Sequence, residues 1–379
     1  QSIWSRCKAL RMMKRAKTHC SIYTCSRVLG KVKCSREAYR LGVLMGFRTY
    51  LASRISIALL ILFVVLTLNF LIFRVFSTGN PIYMVLDPNW DPVTRQRIMD
   101  LWGLNEPLFP NQFVLYLKNL LTWNYGRQFD QSRSLIAPEM AWRLRNTLIL
   151  LGTSTIGVIL VGIPLGILAG SRRGSKTDLS ITSMGLFTWG FPTFFVQLVW
   201  LFIFSATWNN IFGAPLFPRS GLLSLPPPEG LLATIKDVTW HAISPICTLV
   251  IAGFGSWALY TRNMMIDTLT EDYIQTARAK GVKGRDLLFR HAFRSILPPV
   301  ATMIALALPG IVTGAIITET IFGWPGIGSW YINALINRNH PISQAVLFNY
   351  AVLMIGANLI TDLLYGFLDP RIRVGKGKH

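Results

Sequence analysis

The chain has 379 residues, 51% of them hydrophobic and only 15% charged, with a mean hydropathy of +0.42 and a formal net charge of +21. A soluble domain of this length is normally nearer a quarter charged. The apolar residues are gathered into long uncharged runs, so the composition excludes an ordinary water-soluble globule, and the basic excess reads as a membrane-topology signal rather than as affinity for nucleic acid.

Residues 1–46 are basic, weakly periodic and hold four of the five cysteines, Cys7, Cys20, Cys25 and Cys34. Their spacing fits no paired zinc template, so free thiols are expected. A surface helix on anionic lipid and a loose tail both fit this extension. The first apolar run, Ile55–Phe73, starts too late and is too long for a cleavable signal peptide. Residues 77–146 follow, with the turn-rich stretches "DPNWDP" and "LNEPLFPNQF" and some amphipathic helix; the segment is too short and too poor in β-patterning for an independent receptor domain. Five further runs come next: Leu148–Gly170, Leu179–Thr207, Ala242–Thr261, Ser295–Thr318 and Pro341–Thr361. About 20 apolar residues are enough to cross the roughly 30 Å hydrocarbon layer as a helix. A buried helix of a large soluble protein explains one such run but not six. The fold class is therefore all-α polytopic membrane protein, with spans at about 55–76, 147–170, 179–207, 242–262, 297–319 and 343–366. A seventh run, "IFGWPGIGSWYINALIN" (Ile321–Asn337), is short and interrupted by glycine and proline, and reads as an irregular or re-entrant segment at the membrane edge.

Lys and Arg in the connecting segments set the orientation. Segments 1–54, 171–178, 262–294 and 369–379 hold 27 basic residues, against 10 in 77–147, 208–241 and 319–344. Both termini are therefore expected in the cytoplasm, with 374–379 as a short tail and 77–146 outside. Motifs that carry chemistry are absent: no GxxxxGK[ST], HExxH, CxxC or GxSxG occurs, and the five histidines are scattered. No catalytic residue, metal or cofactor is expected on this chain.

The stretch "DYIQTARAKGVKGRDLLFRHAFRSILPPV" (Asp272–Val300) breaks the apolar pattern. Tyr273, Ile274 and Ala277 fall on one face of a helix from Asp272 to Lys280, with Arg278 and Lys280 on others. Gly281 ends it. A second short helix from about Arg285 to Ile296 precedes Pro298-Pro299, where the fifth span begins. Two readings fit: a docking elbow whose small residues Thr276, Ala277, Ala279 and Gly281 admit another protein closely, or a basic loop held near lipid headgroups.

The stretch resembles the EAA loop of permeases of ATP-binding-cassette importers. Gln275, Thr276 and Ala277 stand at the Glu-Ala-Ala positions, Gly281 at the glycine, and Leu297-Pro298 at the distal Leu-Pro. The replaced Glu and a Gly-to-Pro distance about one helical turn longer than in sugar permeases are features of the dipeptide/oligopeptide permease group, of which the chain resembles the B-type subunit. "ALYTRNMMIDTL", "TETIFGWPGIG" and "DLLYGFLDPRIR" match the same group, and the likeness covers roughly residues 47–373. The resemblance implies a type I importer transmembrane domain forming half of a pathway with a second, homologous permease subunit. It also implies an external solute-binding protein and two cytoplasmic ATPase subunits, which bind the ATP and Mg. The loop 262–296 would dock on an ATPase through Gln275, Thr276, Ala277, Arg278, Gly281 and Arg285. Pro309-Gly310 inside the fifth span is either a gating kink or a packing kink. Glu319 and Trp324 are candidates for the external mouth of the pathway; Asp362 reads as an interface carboxylate satisfied by solvent or by an Arg. Di- or oligopeptides are the implied cargo, with oligosaccharides or nickel chelates as the alternative. A channel or proton-coupled carrier is the third reading, but the spans lack the ionisable mid-span residues that proton coupling needs, and it leaves the elbow unexplained.

Overall fold

The structure, a computed structural model, describes residues 25–28, 31–34, 36–76, 91–101, 105–128, 134–313 and 316–368. The chain divides into two units, residues 1–60 with 362–379, and residues 61–361. In the first unit β1 (Cys25–Val28) pairs antiparallel with β2 (Lys31–Cys34), Cys25 opposite Cys34. This strand pair falls within the extension read as a surface helix or tail, most of which lies outside the described residues. In the same unit Arg54 meets Asp362 at 3.2 Å, so Asp362 has an Arg partner.

Helices make up nearly all the remaining regular structure among the described residues. They are α1 (Arg36–Phe70), α2 (Pro92–Leu101), α3 (Phe113–Leu121), α4 (Ile136–Ser171), α5 (Lys176–Gly190), α6 (Thr193–Phe212), α7 (Leu231–Leu269), α8 (Asp272–Ala279), α9 (Phe293–Thr313), α10 (Ile316–Ile321), α11 (Ile327–Ile336) and α12 (His340–Leu368). Among the described residues six stretches are long and apolar enough to cross a membrane: Leu51–Val75, Ile136–Ser171, Thr193–Phe212, Leu231–Leu269, Gly284–Ile311 and His340–Leu364. The chain is a multi-pass helical membrane protein.

Three boundaries differ from the sequence reading for physical reasons. The run 179–207 is not one helix. Phe191 precedes Pro192, which bars it from the helical region; it sits at φ −89°, ψ 138°, and α5 stops at Gly190. The second span, α4, starts at Ile136 rather than near 147, because Ile136 and Met140 bury in an apolar cluster and Glu139 pairs with Arg143 one turn on, at 2.6 Å. The fifth span does not begin at Pro298. Helical turns run on from Gly284 through the wider turns Leu287–Ala292 into α9, since Ala292, Ile296 and Val300 form one buried stripe at four-residue intervals. Ile321–Asn337, by contrast, is the interrupted segment expected: α10 ends at its first residue and the ten-residue α11 is its main regular part.

The central pairing is α4 against α7. Gly162, Gly166 and Gly170 repeat at the small-xxx-small interval. A Cβ on Gly162 would lie 2.6 Å from the Trp257 Cβ, and one on Gly170 would lie 2.7 Å from that of Met265. The helix axes approach as closely as backbones allow, the packing that replaces hydrophobic drive in lipid. At the opposite end from these glycines, α3 lays Tyr116 and Leu120 onto Phe70 and joins a cluster with Ile136, Ile327 and Val346. The segment between the first two spans is therefore packed onto the transmembrane body through α3.

Candidate functional site

The elbow is built on an apolar cluster of Met265, Ile274, Ala277, Leu287, Ala292, Ile296 and Val300, with Ile163 and Ile167 of α4 packed beneath. Helix α8 is only eight residues long, too short to persist alone in water. Ile274, fully buried, and Ala277, 9% exposed, hold it down. Its end is a Schellman turn: Val282 N–H donates to the Ala277 carbonyl at 3.3 Å and Gly281 N–H to that of Arg278 at 3.0 Å, with Gly281 at φ +80°. The outward face carries Gln275, Thr276, Arg278, Gly281 and Arg285, all exposed. Two assignments change. Tyr273 does not share the buried face; it is 45% exposed and its hydroxyl donates to Ser295 Oγ at 2.7 Å. Ala277 points into the chain's own cluster, so its smallness serves internal packing rather than an approaching protein.

The base of the elbow is clamped by a pair the sequence reading did not single out. Arg262, near the end of α7, forks onto Asp178 at the start of α5, Nη2 to Oδ2 at 2.8 Å and Nε to Oδ1 at 2.5 Å. Asp178 also accepts from Gly174 N–H, and its own N–H donates to Ser175 Oγ. The guanidinium on Asp178 holds its carboxyl well below the usual carboxylate range. Ser175-x-x-Asp178, ahead of an apolar run, is the helix-start signal that marks this site in sequence.

Glu319 and Trp324 do not stand over an open mouth. Both are buried, at 0% and 1% exposure. The Glu319 carboxylate accepts Thr147 Oγ1–H at 2.6 Å and Ser329 N–H at 2.8 Å, which seats it on the first turn of α11. Thr147 Oγ1 in turn accepts Ile327 N–H at 2.9 Å, and Trp324 Nε1–H donates to the Asn146 carbonyl at 3.1 Å. Gly326 lies where a Cβ would run into the Glu319 carboxylate. The motif "TETIFGWPGIG" is thus a carboxylate knot joining α4, α10 and α11, and its glycines make room for the acid. Pro309 is buried within α9 and the helix continues through Gly310. The structure brings the elbow residues together on one surface and keeps Glu319 with Trp324; Pro309 and Gly310 join neither group.

Residues 162–374 match the family described as binding-protein-dependent transport system inner membrane component. The chain is 32% identical over 323 residues to the oligopeptide transport system permease protein AppB of Bacillus subtilis, covering 85% of this chain and 98% of that protein. It is 31% identical over 337 residues to the di/tripeptide transport system permease protein DppB of Pseudomonas aeruginosa (86% and 98% covered), and 32% over 313 residues to the dipeptide transport system permease protein DppB of Escherichia coli K12 (78% and 90%).

Proposed function

The chain belongs to the family of binding-protein-dependent transport inner membrane components, and on that premise we propose that it is the permease subunit of an ATP-driven importer of di- or oligopeptides. The observation that carries this is the peptide-permease likeness running over four fifths of the chain and including an exposed elbow with a glycine-ended helix. Oligosaccharides and nickel chelates are not favoured, since the similar proteins are named for peptides.

In this reading the chain pairs with a second, similar permease subunit to enclose the pathway, receives cargo from an external binding protein, and rests on two ATPase subunits. ATP and Mg belong to those ATPases. Both termini and the elbow lie in the cytoplasm, and the membrane is the cytoplasmic one. The outward face of α8, with Gln275, Thr276, Arg278, Gly281 and Arg285, enters a cleft on one ATPase, while Ile274 and Ala277 couple that face to α4 and α7. Closure of the ATPase pair then draws the elbows together and rocks the helices about the central site. Arg262 on Asp178 keeps the elbow base attached to α5 during that motion. The chain transmits and conducts; it does no bond chemistry.

The test is reconstitution of this chain with its partner permease, ATPases and binding protein in liposomes. ATP-dependent uptake of labelled di- or tripeptides is expected. Uptake of an oligosaccharide or nickel chelate with none of peptide would overturn the cargo assignment, and uptake that needs no ATP would overturn the mechanism.

A further inference from the structure

A cavity of about 470 Å³ opens between the first turns of α4 and the face of α11, lined among others by Gln128, Glu139, Arg143, Trp330, Asn333 and Asn337. It is distinct from the elbow and, in the orientation proposed above, lies on the external side. Its size suits a small ligand. Beside Ala334, Ile342 and Ser134, its lining holds neutral amides, one ion pair and one indole.

The Arg143 guanidinium is held rather than loose. Nε donates to Glu139 Oε1 at 2.6 Å, and the guanidinium carbon lies 5.3 Å from the Trp330 ring centre and 5.7 Å from that of Trp142. Trp330 itself is 6% exposed, so one of these rings is fixed by the core. A guanidinium committed only through Nε has its two Nη groups without a hydrogen-bond partner among the described residues. Those two groups form a planar fork that matches a carboxylate bidentately. Asn333 on α11 and Asn337, the residue that caps its C-terminal end, follow one turn apart, exposed and without side-chain hydrogen bonds among the described residues. The Cβ atoms of residues at that interval stand about 5–6 Å apart, so their flexible amides can reach neighbouring main-chain groups of one extended peptide, which rises about 3.4 Å per residue. Each amide both donates and accepts, as a peptide group requires.

We propose that this cavity is a receiving subsite for the carboxylate end of a peptide, with Arg143 taking the carboxylate and Asn333 and Asn337 the adjoining main-chain amides. The proposal rests on the peptide reading above. It assigns to the permease itself a preference for a free carboxyl terminus, independent of the binding protein.

The test uses the complete importer in liposomes, with a photoreactive benzoylphenylalanine at Ser134, which lines the cavity but has no part in the proposed contacts, and a tritiated dipeptide delivered by the binding protein. Label is expected on this chain, displaced by unlabelled dipeptide but not by the same dipeptide as its carboxamide. Arg143→Lys keeps the charge and the contact with Glu139 but loses the fork, and should weaken that displacement about tenfold, the worth of one good hydrogen bond to a charged group. A cross-link from this chain to the binding protein, with no tritium on this chain, would overturn the subsite and make this surface a protein contact. Equal displacement by the carboxamide would overturn the carboxylate assignment. Uptake is measured on the unmodified importer in parallel: peptide uptake without label strikes the subsite alone, and absence of peptide uptake strikes the function it rests on.

Discussion

Replacing Gly281 separates what the elbow needs for itself from what its partner needs. In the structure a Cβ at this position meets no heavy atom within 4 Å, so the chain imposes no steric bar to a side chain. What it imposes is φ +80° and the two turn hydrogen bonds from Gly281 and Val282. Holding a residue with a Cβ there costs about 1–2 kcal/mol, nearly the same for Ala as for Leu; Asn tolerates the conformation better. The thermal stability of the purified chain should therefore fall slightly, and by similar amounts, in Gly281→Ala and Gly281→Leu. A filled cleft on the ATPase adds a second cost that scales with bulk, about 1–3 kcal/mol for an overpacked interface. At 1.4 kcal/mol per tenfold, Gly281→Leu should lose roughly tenfold or more in ATPase affinity beyond Gly281→Ala. The assay is co-purification of the ATPase together with peptide-stimulated ATP hydrolysis for Ala, Asn and Leu variants. Should Leu retain the ATPase, full stimulation and uptake, α8 would not be the coupling element.

Gly326→Ala should destabilise the chain by about 1–3 kcal/mol or more, because its Cβ competes with the Glu319 carboxylate for the same space; thermal aggregation in detergent measures this, and Glu319→Ala combined with it should cost clearly less than the two changes summed. Asp178→Asn and Arg262→Lys should each weaken the elbow base, with a coupling of about 1–3 kcal/mol in a double-mutant cycle. Because the Asp178 carboxyl is held below its ordinary range, the pair contributes fully above the usual Asp pKa and is lost as pH falls through the depressed value, so wild type and Asp178→Asn should converge in stability in strong acid. For orientation, a cysteine introduced at Asn111 should react with an impermeant thiol reagent on intact cells and one at Lys283 should not; the reverse pattern would invert the topology.

Span number and the elbow were legible because each rests on a local signal, an uncharged run long enough for the bilayer or a basic amphipathic stretch ended by glycine. The break at Phe191-Pro192 was legible in principle, since a residue before proline avoids the helix, but the unbroken hydropathy of "LFTWGFPTFFVQ" masked it. Glu319 shows a different limit. Its position at the end of an apolar run marks it as important, yet whether it faces a pathway or a neighbour depends on Thr147, which lies 172 residues away. The Arg262–Asp178 clamp spans 84 residues and was hidden for the same reason. Ala277 was recognised as required to be small, but periodicity on an eight-residue helix does not say which partner, internal or external, sets that requirement.

The glycines of α4 bear on how the chain is assembled. Helix α4 is complete at Ser171, whereas the helix that fills its grooves begins at Leu231, some sixty residues later. At a synthesis rate of about 5–20 residues per second, α4 spends several seconds in the membrane with Gly162, Gly166 and Gly170 turned to lipid. Those glycines expose no unsatisfied polar group there, because a helix meets its own backbone bonds, and acyl chains fill the grooves at little cost. The later helix displaces lipid instead of refolding protein. A larger side chain at Gly166 would leave insertion of either helix untouched and block only their joining, so its signature is a full-length, membrane-inserted chain that proteases clear after synthesis.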